Sequence, residues 1–198
     1  SISVSDANNL SIDCNTTDHA GLTFATENIL PRKNSANTDN AVDLGAGSAR
    51  FKNAYLSGNL YLGGTGSANA LDDYETGTFT PSVSGGYGSA PSYNAQTGIY
   101  TKIGKLVLAH IRIAVASGSR GGSNLTFVGL PFSNQSTIDG GGFVIYQNNF
   151  HSTGEFYPMV NASTAEIHFH EANGTAVNAN ELDADNYDIR IAVVYQTA

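Results

Sequence analysis

The sequence predicts an all-β protein with two regions of different character. Residues 1–75 read as short strands separated by turns, and residues 76–198 as a compact antiparallel β-sandwich of the jelly-roll type. The chain holds 22 glycines among many Ser, Thr and Asn residues, and only 13% of its residues are charged. That composition is typical of short strands joined by tight turns. Apolar residues also alternate with polar ones, which is the period of a half-buried strand.

Charge and cysteine content exclude several classes of protein. The formal net charge is −8, and the nine Lys and Arg residues are scattered, so no basic stripe is present for nucleic acid. Cys14 is the single cysteine, which excludes an internal disulfide and a cysteine-based zinc site. No run of about 18 apolar residues predicts membrane insertion. Because the chain begins without Met, we expect further residues upstream.

The first region is poor in apolar residues. These come as alternating pairs, each of which predicts a strand of a few residues: Leu10 with Ile12, Leu22 with Phe24, Val42 with Leu44, and Leu60 with Leu62. So little apolar surface does not offset a chain entropy of about 1–2 kcal/mol per residue. We therefore expect identical chains to associate and bury these strands on a shared axis. Disorder is the alternative for a polar tract of this kind.

The second region begins with a predicted hairpin. Strands over residues 99–103 and 106–115 are joined by Gly104-Lys105, a two-residue Gly-X turn that suits type II′ geometry. Because side chains alternate along a strand, one face of the second strand is expected to be core. The residues of that face are Val107, Ala109, Ile111, Ile113 and Val115.

Four further strands follow at short intervals. They are predicted over residues 124–128, 143–147, 166–170 and 187–196, and turn signals separate them at 117–123, 140–142 and 173–174. In the last strand, one side is apolar and predicted to face the core: Tyr187, Ile189, Ile191, Val193 and Tyr195. Asp188, Arg190 and Gln196 alternate with them and are predicted to face solvent. A sandwich of antiparallel strands accommodates this pattern.

Several stretches resemble the tail fibre proteins of tailed bacteriophages, particularly those of marine and cyanobacterial phages. They cover residues 19–24, 43–45, 49–58, 71–81 and 98–104. The resemblance implies a homotrimeric fibre whose upstream part is a shaft or neck and whose C-terminal knob contacts the host surface. It implies a place at the distal tail fibre of the virion, other phage tail proteins as upstream partners, and a host glycan, lipopolysaccharide or outer-membrane component as receptor.

Aromatic residues in polar loops are the candidates for receptor contact. A ring stacks on the C–H face of a sugar while neighbouring amides bind its hydroxyls. Tyr87 lies among glycines, and Asn148, Asn149, Phe150 and His151 form a second such segment. The alternative is that Phe150 and Tyr87 cap the core or lie at a trimer interface.

His168 and His170 are the candidate metal ligands. Alternation places both on one strand face with Glu166, so three chains on a threefold axis would present six imidazoles, enough for an octahedral transition metal. The alternative is an exposed polar face whose histidines titrate near pH 6.5. No other cofactor is predicted.

The sequence predicts no catalytic activity. A serine-nucleophile motif of the G-x-S-x-G type is absent. Glycoside cleavage requires two carboxylates across a groove, and four glutamates are available for that role: Glu155, Glu166, Glu171 and Glu181. The chain is short for the long β-helix of a depolymerase. The favoured function is therefore a binding fibre tip, and the alternatives are a structural neck or collar of the virion and a glycan-cleaving tailspike fragment.

Overall fold

The computed structural model describes residues 2–5, 9–14, 16–65, 70–71, 73–151 and 155–197. Its strands are β1 (Ile2–Ser5), β2 (Asn9–Ile12), β3 (Ala20–Phe24), β4 (Ile29–Lys33), β5 (Ala36–Asn37), β6 (Leu60–Tyr61), β7 (Ala70–Leu71), β8 (Tyr74–Phe79), β9 (Ser82–Gly85), β10 (Ser92–Ile103), β11 (Leu106–Ser117), β12 (Thr126–Val128), β13 (Gly140–Asn148), β14 (Phe156–Val160), β15 (Glu166–Glu171) and β16 (Tyr187–Gln196). One 3-10 turn covers Ala179–Glu181. The all-β prediction is confirmed. In these residues no helix is long and apolar enough to cross a membrane.

The chain divides into two compact units, Ser1–Tyr55 and Leu56–Ala198. The sequence predicted a division between residues 75 and 76. In the structure, β8 spans that position and pairs with β10, so it belongs to the sheet of the second unit. The small ribbon of β6 and β7 lies in the second unit as well. Asp72, within the 71–81 stretch that resembles tail fibres, lies outside the described residues.

The first unit is a five-stranded antiparallel meander in the order β1 to β5. Strands at Leu10 with Ile12 and at Leu22 with Phe24 are confirmed, and Leu60 lies in β6. Val42 and Leu44 lie in an irregular segment instead of the predicted strand. The register pairs apolar with apolar across the sheet: Ile2 with Ile12, Val4 with Leu10, Leu10 with Phe24, Ile12 with Leu22, and Phe24 with Ile29. Paired residues share a face, so these side chains form one apolar face.

The opposite face of the meander is polar and buried. The Arg32 guanidinium donates to both carboxylate oxygens of Asp13, at 2.9 and 3.1 Å, and to the hydroxyl of Thr23 at 3.0 Å. The Thr23 hydroxyl donates to the Asn37 side-chain oxygen at 2.8 Å. A side chain on Gly21 would meet Asp13 Oδ1 at 2.6 Å, so the ion pair requires glycine there. This buried network satisfies the polar groups it removes from water.

The second unit is built on a nine-stranded antiparallel sheet in the order β8-β10-β11-β16-β13-β14-β15-β12-β9. The predicted hairpin is present as β10 and β11, paired in continuous register from Ile103 with Leu106 to Ala95 with Ala114. Gly104 has a φ of +55°, and Lys105 is not among the residues with positive φ, which is the sign pattern of a type II′ turn.

The sheet curls so that its two edge strands come together at one corner. The edge strands β8 and β9 are consecutive in the chain and only Thr80-Pro81 separates them, so the end of β8 adjoins the start of β9. The Gln96 side chain donates to the Pro81 carbonyl at 2.9 Å across this junction. Hydrogen bonds link all nine strands in one sheet, so the described residues form a rolled sheet instead of the two separate sheets of the predicted sandwich.

The core fills the inside of the roll. The predicted core faces of β11 and β16 are both buried, from Val107 to Val115 and from Tyr187 to Tyr195. They pair with each other in register, Ile111 opposite Ile191. An aromatic cluster packs beside them, with ring centroids 4.8 to 6.5 Å apart: Phe127, Phe150, Phe156, Phe169 and Tyr187. Strict alternation thus identified the core strands from sequence.

Glycines 140–142 form the start of β13, so the predicted turn at these positions is wrong. A Cβ on Gly142 would lie 2.2 Å from the Ala192 carbonyl oxygen, and one on Gly140 would lie 2.4 Å from the Tyr195 Cβ. Glycine is required here because β13 approaches β16 too closely for side chains. Composition alone does not distinguish this use of glycine from a turn.

Candidate functional site

A polar pocket lies on the second unit where β13 ends and β16 begins. We call it the asparagine pocket. Its volume is about 180 Å³, and it is lined by Asn94, Arg112, Ala114, Val115, Asn148, Asn149, Asn186, Tyr187 and Asp188. The pairing of Asn148 with Asp188 brings β13 to this edge of β16. Asn149 follows with a φ of +55°, a left-handed conformation that Asn tolerates better than most residues.

An ion pair forms one wall of the asparagine pocket. Arg112 donates to Asp188 through Nε at 3.2 Å and through Nη2 at 2.8 Å. Arg190 lies directly opposite Arg112 across the sheet, and its Nη2 is 3.5 Å from the same carboxylate. The bidentate contact with Arg112 lowers the pKa of the Asp188 carboxyl, and Asp188 in turn raises the pKa of Arg112. Asp188 therefore stays ionised; it balances the charge of Arg112 and lies within 3.5 Å of Arg190.

The pocket offers hydrogen bonds and little apolar surface. Four exposed amides, those of Asn94, Asn148, Asn149 and Asn186, each bring one carbonyl acceptor and two N–H donors. Tyr187 contributes to the lining, but its ring is buried in the aromatic cluster, and burial raises the pKa of its hydroxyl. The pocket is therefore suited to a small ligand rich in hydroxyl groups.

The structure brings two of the predicted receptor residues together, Asn148 and Asn149. It corrects the placement of Phe150 and His151, whose side chains are buried. Phe150 is at the centre of the aromatic cluster, because the chain turns inward directly after Asn149. Tyr87 is half-buried against the core and its hydroxyl donates to the Asp185 carbonyl at 3.4 Å, so it does not line the pocket. Receptor contact through Asn148, Asn149 and Tyr87 stays a prediction.

The predicted metal ligands lie on β15 as alternation required. His168 and His170 are half-buried on the face opposite Ile167 and Phe169, which are buried. His168 Nε2 is 3.4 Å from Glu166 Oε2, while the ring of His170 stacks on Tyr157 with centroids 6.0 Å apart. Among the described residues of one chain, neither belongs to a group of three metal-binding side chains. A site shared between chains stays a prediction.

The structure reveals apolar surface that sequence alone did not locate. The apolar face of the meander is exposed in the single chain, with Ile2 at 76% and Ile29 at 64%, while Ser11 and Thr23 on its other face are buried. The second unit has a comparable outer surface, which we call the outer strip: Ile99, Leu108, Phe143, Ile145 and Val194 are all exposed there. Part of this strip forms a groove of about 220 Å³.

Comparisons with known proteins bear on the fold. No protein-family model matches the sequence, and no curated protein matches it. The crystal structure of the Dettilon tailspike protein matches with a TM-score of 0.50 and 17% sequence identity. The match covers 62% of this chain and 23% of that protein, so the chain spans less than a quarter of the tailspike's length. At this identity the likeness is one of fold.

Proposed function

We propose that the chain is the receptor-binding region of a phage tail fibre or tailspike, that it acts as a homotrimer at the distal end of the virion's tail, and that it binds a host surface glycan. The observation that carries the proposal is the asparagine pocket, a cluster of exposed amides on a compact rolled sheet. The fold likeness to part of a phage tailspike and the resemblance of residues 1–105 to tail fibres support the phage setting.

The chemistry of the pocket favours an uncharged glycan. Amides donate to and accept from hydroxyl groups without a charge requirement, and Arg112, the one arginine among the residues that line the pocket, is paired with Asp188. The net charge of −8 repels acidic polysaccharides at long range. A neutral segment of a lipopolysaccharide or capsule is therefore the proposed ligand class.

Binding without cleavage is the proposed activity. Glycoside hydrolysis requires two carboxyl groups, one as acid and one as base or nucleophile, about 5 to 10 Å apart. Asp188 is the one carboxylate among the residues that line the asparagine pocket, and Arg112 holds it ionised. An ionised carboxylate bound to a guanidinium is a poor proton donor, so this pocket lacks the required pair.

Association of identical chains is proposed because the meander of a single chain exposes its apolar face and buries its polar face. An antiparallel sheet normally buries its apolar face, whereas here the buried face is the polar one and the apolar face is exposed. Exposed contiguous apolar surface on this scale marks an interaction site. Three copies would cover one another's apolar faces and outer strips. Three weak glycan sites would then act together, and avidity would strengthen attachment.

Glycan binding is tested with two pocket variants. A panel of bacterial surface polysaccharides is immobilised, and binding of the full chain is compared for wild type, Asn148→Ala and Asn149→Gly. Glycine accepts the left-handed backbone at position 149, so that variant removes the amide without adding strain. Each lost hydrogen bond of about 1 kcal/mol weakens binding roughly fivefold to tenfold.

Asn28→Ala, an exposed amide in the first unit, is the matched control and should bind like wild type. Absence of wild-type binding to any polysaccharide or to host cells would favour the structural neck or collar. Release of reducing ends from a bound polysaccharide would identify the cleaving alternative.

A further inference from the structure

Three side chains from separate segments converge beside the aromatic cluster. His151 follows β13, Glu171 ends β15 and Glu181 ends the 3-10 turn. One potential ligand atom from each lies within 4.8 Å of the others. His151 Nε2 is 3.7 Å from Glu171 Oε1, which is too long for a hydrogen bond. In the described part of the chain this is the one group of three such residues.

The imidazole of His151 lacks a hydrogen-bond partner although it is buried. The residue is 1% exposed, and neither Nδ1 nor Nε2 has a partner. A buried polar atom left without a partner costs about 1–3 kcal/mol, so such atoms are rare in folded proteins. The edge of the ring that carries Nε2 lies toward Glu171, and a carboxylate oxygen of Glu181 is part of the same group of ligand atoms. A ligand held between them would supply the missing contact.

Both carboxylates are oriented by hydrogen bonds outside the cluster. The Asn173 side chain donates to Glu171 Oε2 at 3.1 Å, while Oε1 lies toward His151. The Asn178 backbone N–H donates to Glu181 Oε2 at 2.6 Å in a capping box. Each glutamate thus has one oxygen held in place and a second oxygen outside that bond. Hydrogen bonds that fix the ligands in this way are a usual feature of metal sites.

We propose that His151, Glu171 and Glu181 bind a divalent transition-metal ion. One imidazole and two carboxylates form a mixed N/O donor set that suits Zn²⁺ or Mn²⁺ better than Ca²⁺, which takes oxygen ligands. Two ligands on a tetrahedral zinc lie about 3.4 Å apart, so the 3.7 Å between His151 and Glu171 requires little movement. Water completes the coordination. This site is distinct from the one predicted at His168 and His170.

The proposed ion would hold three segments together, one of which continues from the asparagine pocket. His151 is two residues from Asn149, and the Asp183 N–H donates to the Phe150 carbonyl at 3.1 Å, so the same region already joins the β13 segment to the chain after the 3-10 turn. A metal would fix the segment that carries two pocket amides. The inference goes beyond the proposed function, because the site is complete whether or not a glycan binds.

The test measures Zn²⁺ binding to the full chain. Isothermal titration should give one Zn²⁺ per chain at this site, and the melting temperature should rise with Zn²⁺ concentration because the ion binds the folded state. Glu171→Gln and Glu181→Gln should each raise the dissociation constant more than about tenfold. Glutamine retains the capping-box hydrogen bond at position 181. Loss of Zn²⁺ binding by Glu181→Gln is therefore due to the lost carboxylate charge and not to a change in the 3-10 turn.

A double variant with His168→Gln and His170→Gln is the matched control, since it removes two imidazoles that lie outside the cluster and should leave binding and the melting shift unchanged. The proposal is overturned if wild type binds neither Zn²⁺ nor Mn²⁺, if both glutamate variants bind like wild type, or if binding is lost in the His168 and His170 variant instead. Binding by wild type that resists a tenfold excess of Ca²⁺ supports the proposed donor set.

Discussion

Two residues show how neighbours decide the role of a side chain. Asp188 lies on the solvent side of β16, yet it is the counter-charge of Arg112 and Arg190, which face each other across the sheet. Like charges in directly opposed positions destabilise a pair of strands, and the carboxylate of Asp188 offsets the repulsion between these two arginines. Phe150 belongs to a polar segment and nevertheless lies at the centre of the core.

Stability should depend on pH through Asp188. Its pKa is lowered in the folded protein, so its contribution is present above the ordinary Asp value of about 3.9 and is lost as the pH falls through the folded value. Asp188→Asn should reduce the free energy of unfolding by about 1 kcal/mol or less at pH 7, because Arg112 is partly exposed. Urea unfolding at pH 7 and pH 2.5 checks this. If Asp188→Asn lowers the free energy of unfolding by the same amount at both pH values, the ion-pair role is contradicted. Glu27→Gln is the control variant.

Phe150→Ala should destabilise the second unit strongly. The ring is fully buried against four other aromatic rings, and its truncation leaves a cavity costing about 3–5 kcal/mol. Ile138→Ala, at a side chain that is 66% exposed, should cost little. Equilibrium unfolding of both variants makes the comparison. A stable Phe150→Ala protein that loses only glycan binding would restore Phe150 as a receptor contact.

At the scale of the element, β13 shows that one strand can require glycine at alternate positions. Gly140 and Gly142 lie against β16, whereas a Cβ on Gly141 would meet nothing within 4 Å. The alternation follows from the period of two, which turns successive positions to opposite faces. The same strand then carries exposed apolar residues and ends at the asparagine pocket.

The three glycines therefore provide an internal comparison. Gly142→Ala should lower the free energy of unfolding by about 1–3 kcal/mol, because β13 must move away from the Ala192 carbonyl. Gly141→Ala should be neutral or slightly stabilising, since alanine reduces the entropy of the unfolded chain. Thermal unfolding of the two variants distinguishes them. Similar melting temperatures would show that the close approach of β13 to β16 is not required.

At the scale of the whole molecule, the exposed apolar surface matters most. The meander buries an Arg32–Asp13 ion pair and exposes aliphatic side chains, the reverse of a sheet that is stable alone. The proposed assembly of identical chains would resolve this, because each copy would present the same face to its neighbours.

Native mass spectrometry of the full chain should therefore give three copies. Leu22→Glu places a charge on the apolar face of the meander, where burial in an interface would be costly, and should shift the population to single chains. Thr26→Glu, at an exposed position between β3 and β4, should leave the trimer intact. A wild-type monomer at micromolar concentration, or a Leu22→Glu protein that remains trimeric, would contradict the proposed interface.

Sequence alone determined the fold class, the β10–β11 hairpin with its Gly104 turn, and the buried faces of β11 and β16. These features are local, because alternation with a period of two and a turn residue with positive φ each depend on a few neighbouring residues. It also named Asn148 and Asn149 as receptor contacts; the structure shows that both line the asparagine pocket, and receptor contact stays a prediction.

Only the tertiary structure decided the closure of the sheet at Thr80-Pro81, the burial of Phe150, and the meeting of His151 with Glu171 and Glu181. It also decided which of three consecutive glycines are required. Each of these depends on a contact between residues far apart in the chain. Local sequence patterns do not indicate which distant strands become neighbours. The curl of the sheet brings those residues together, and that curl is a property of all nine strands at once.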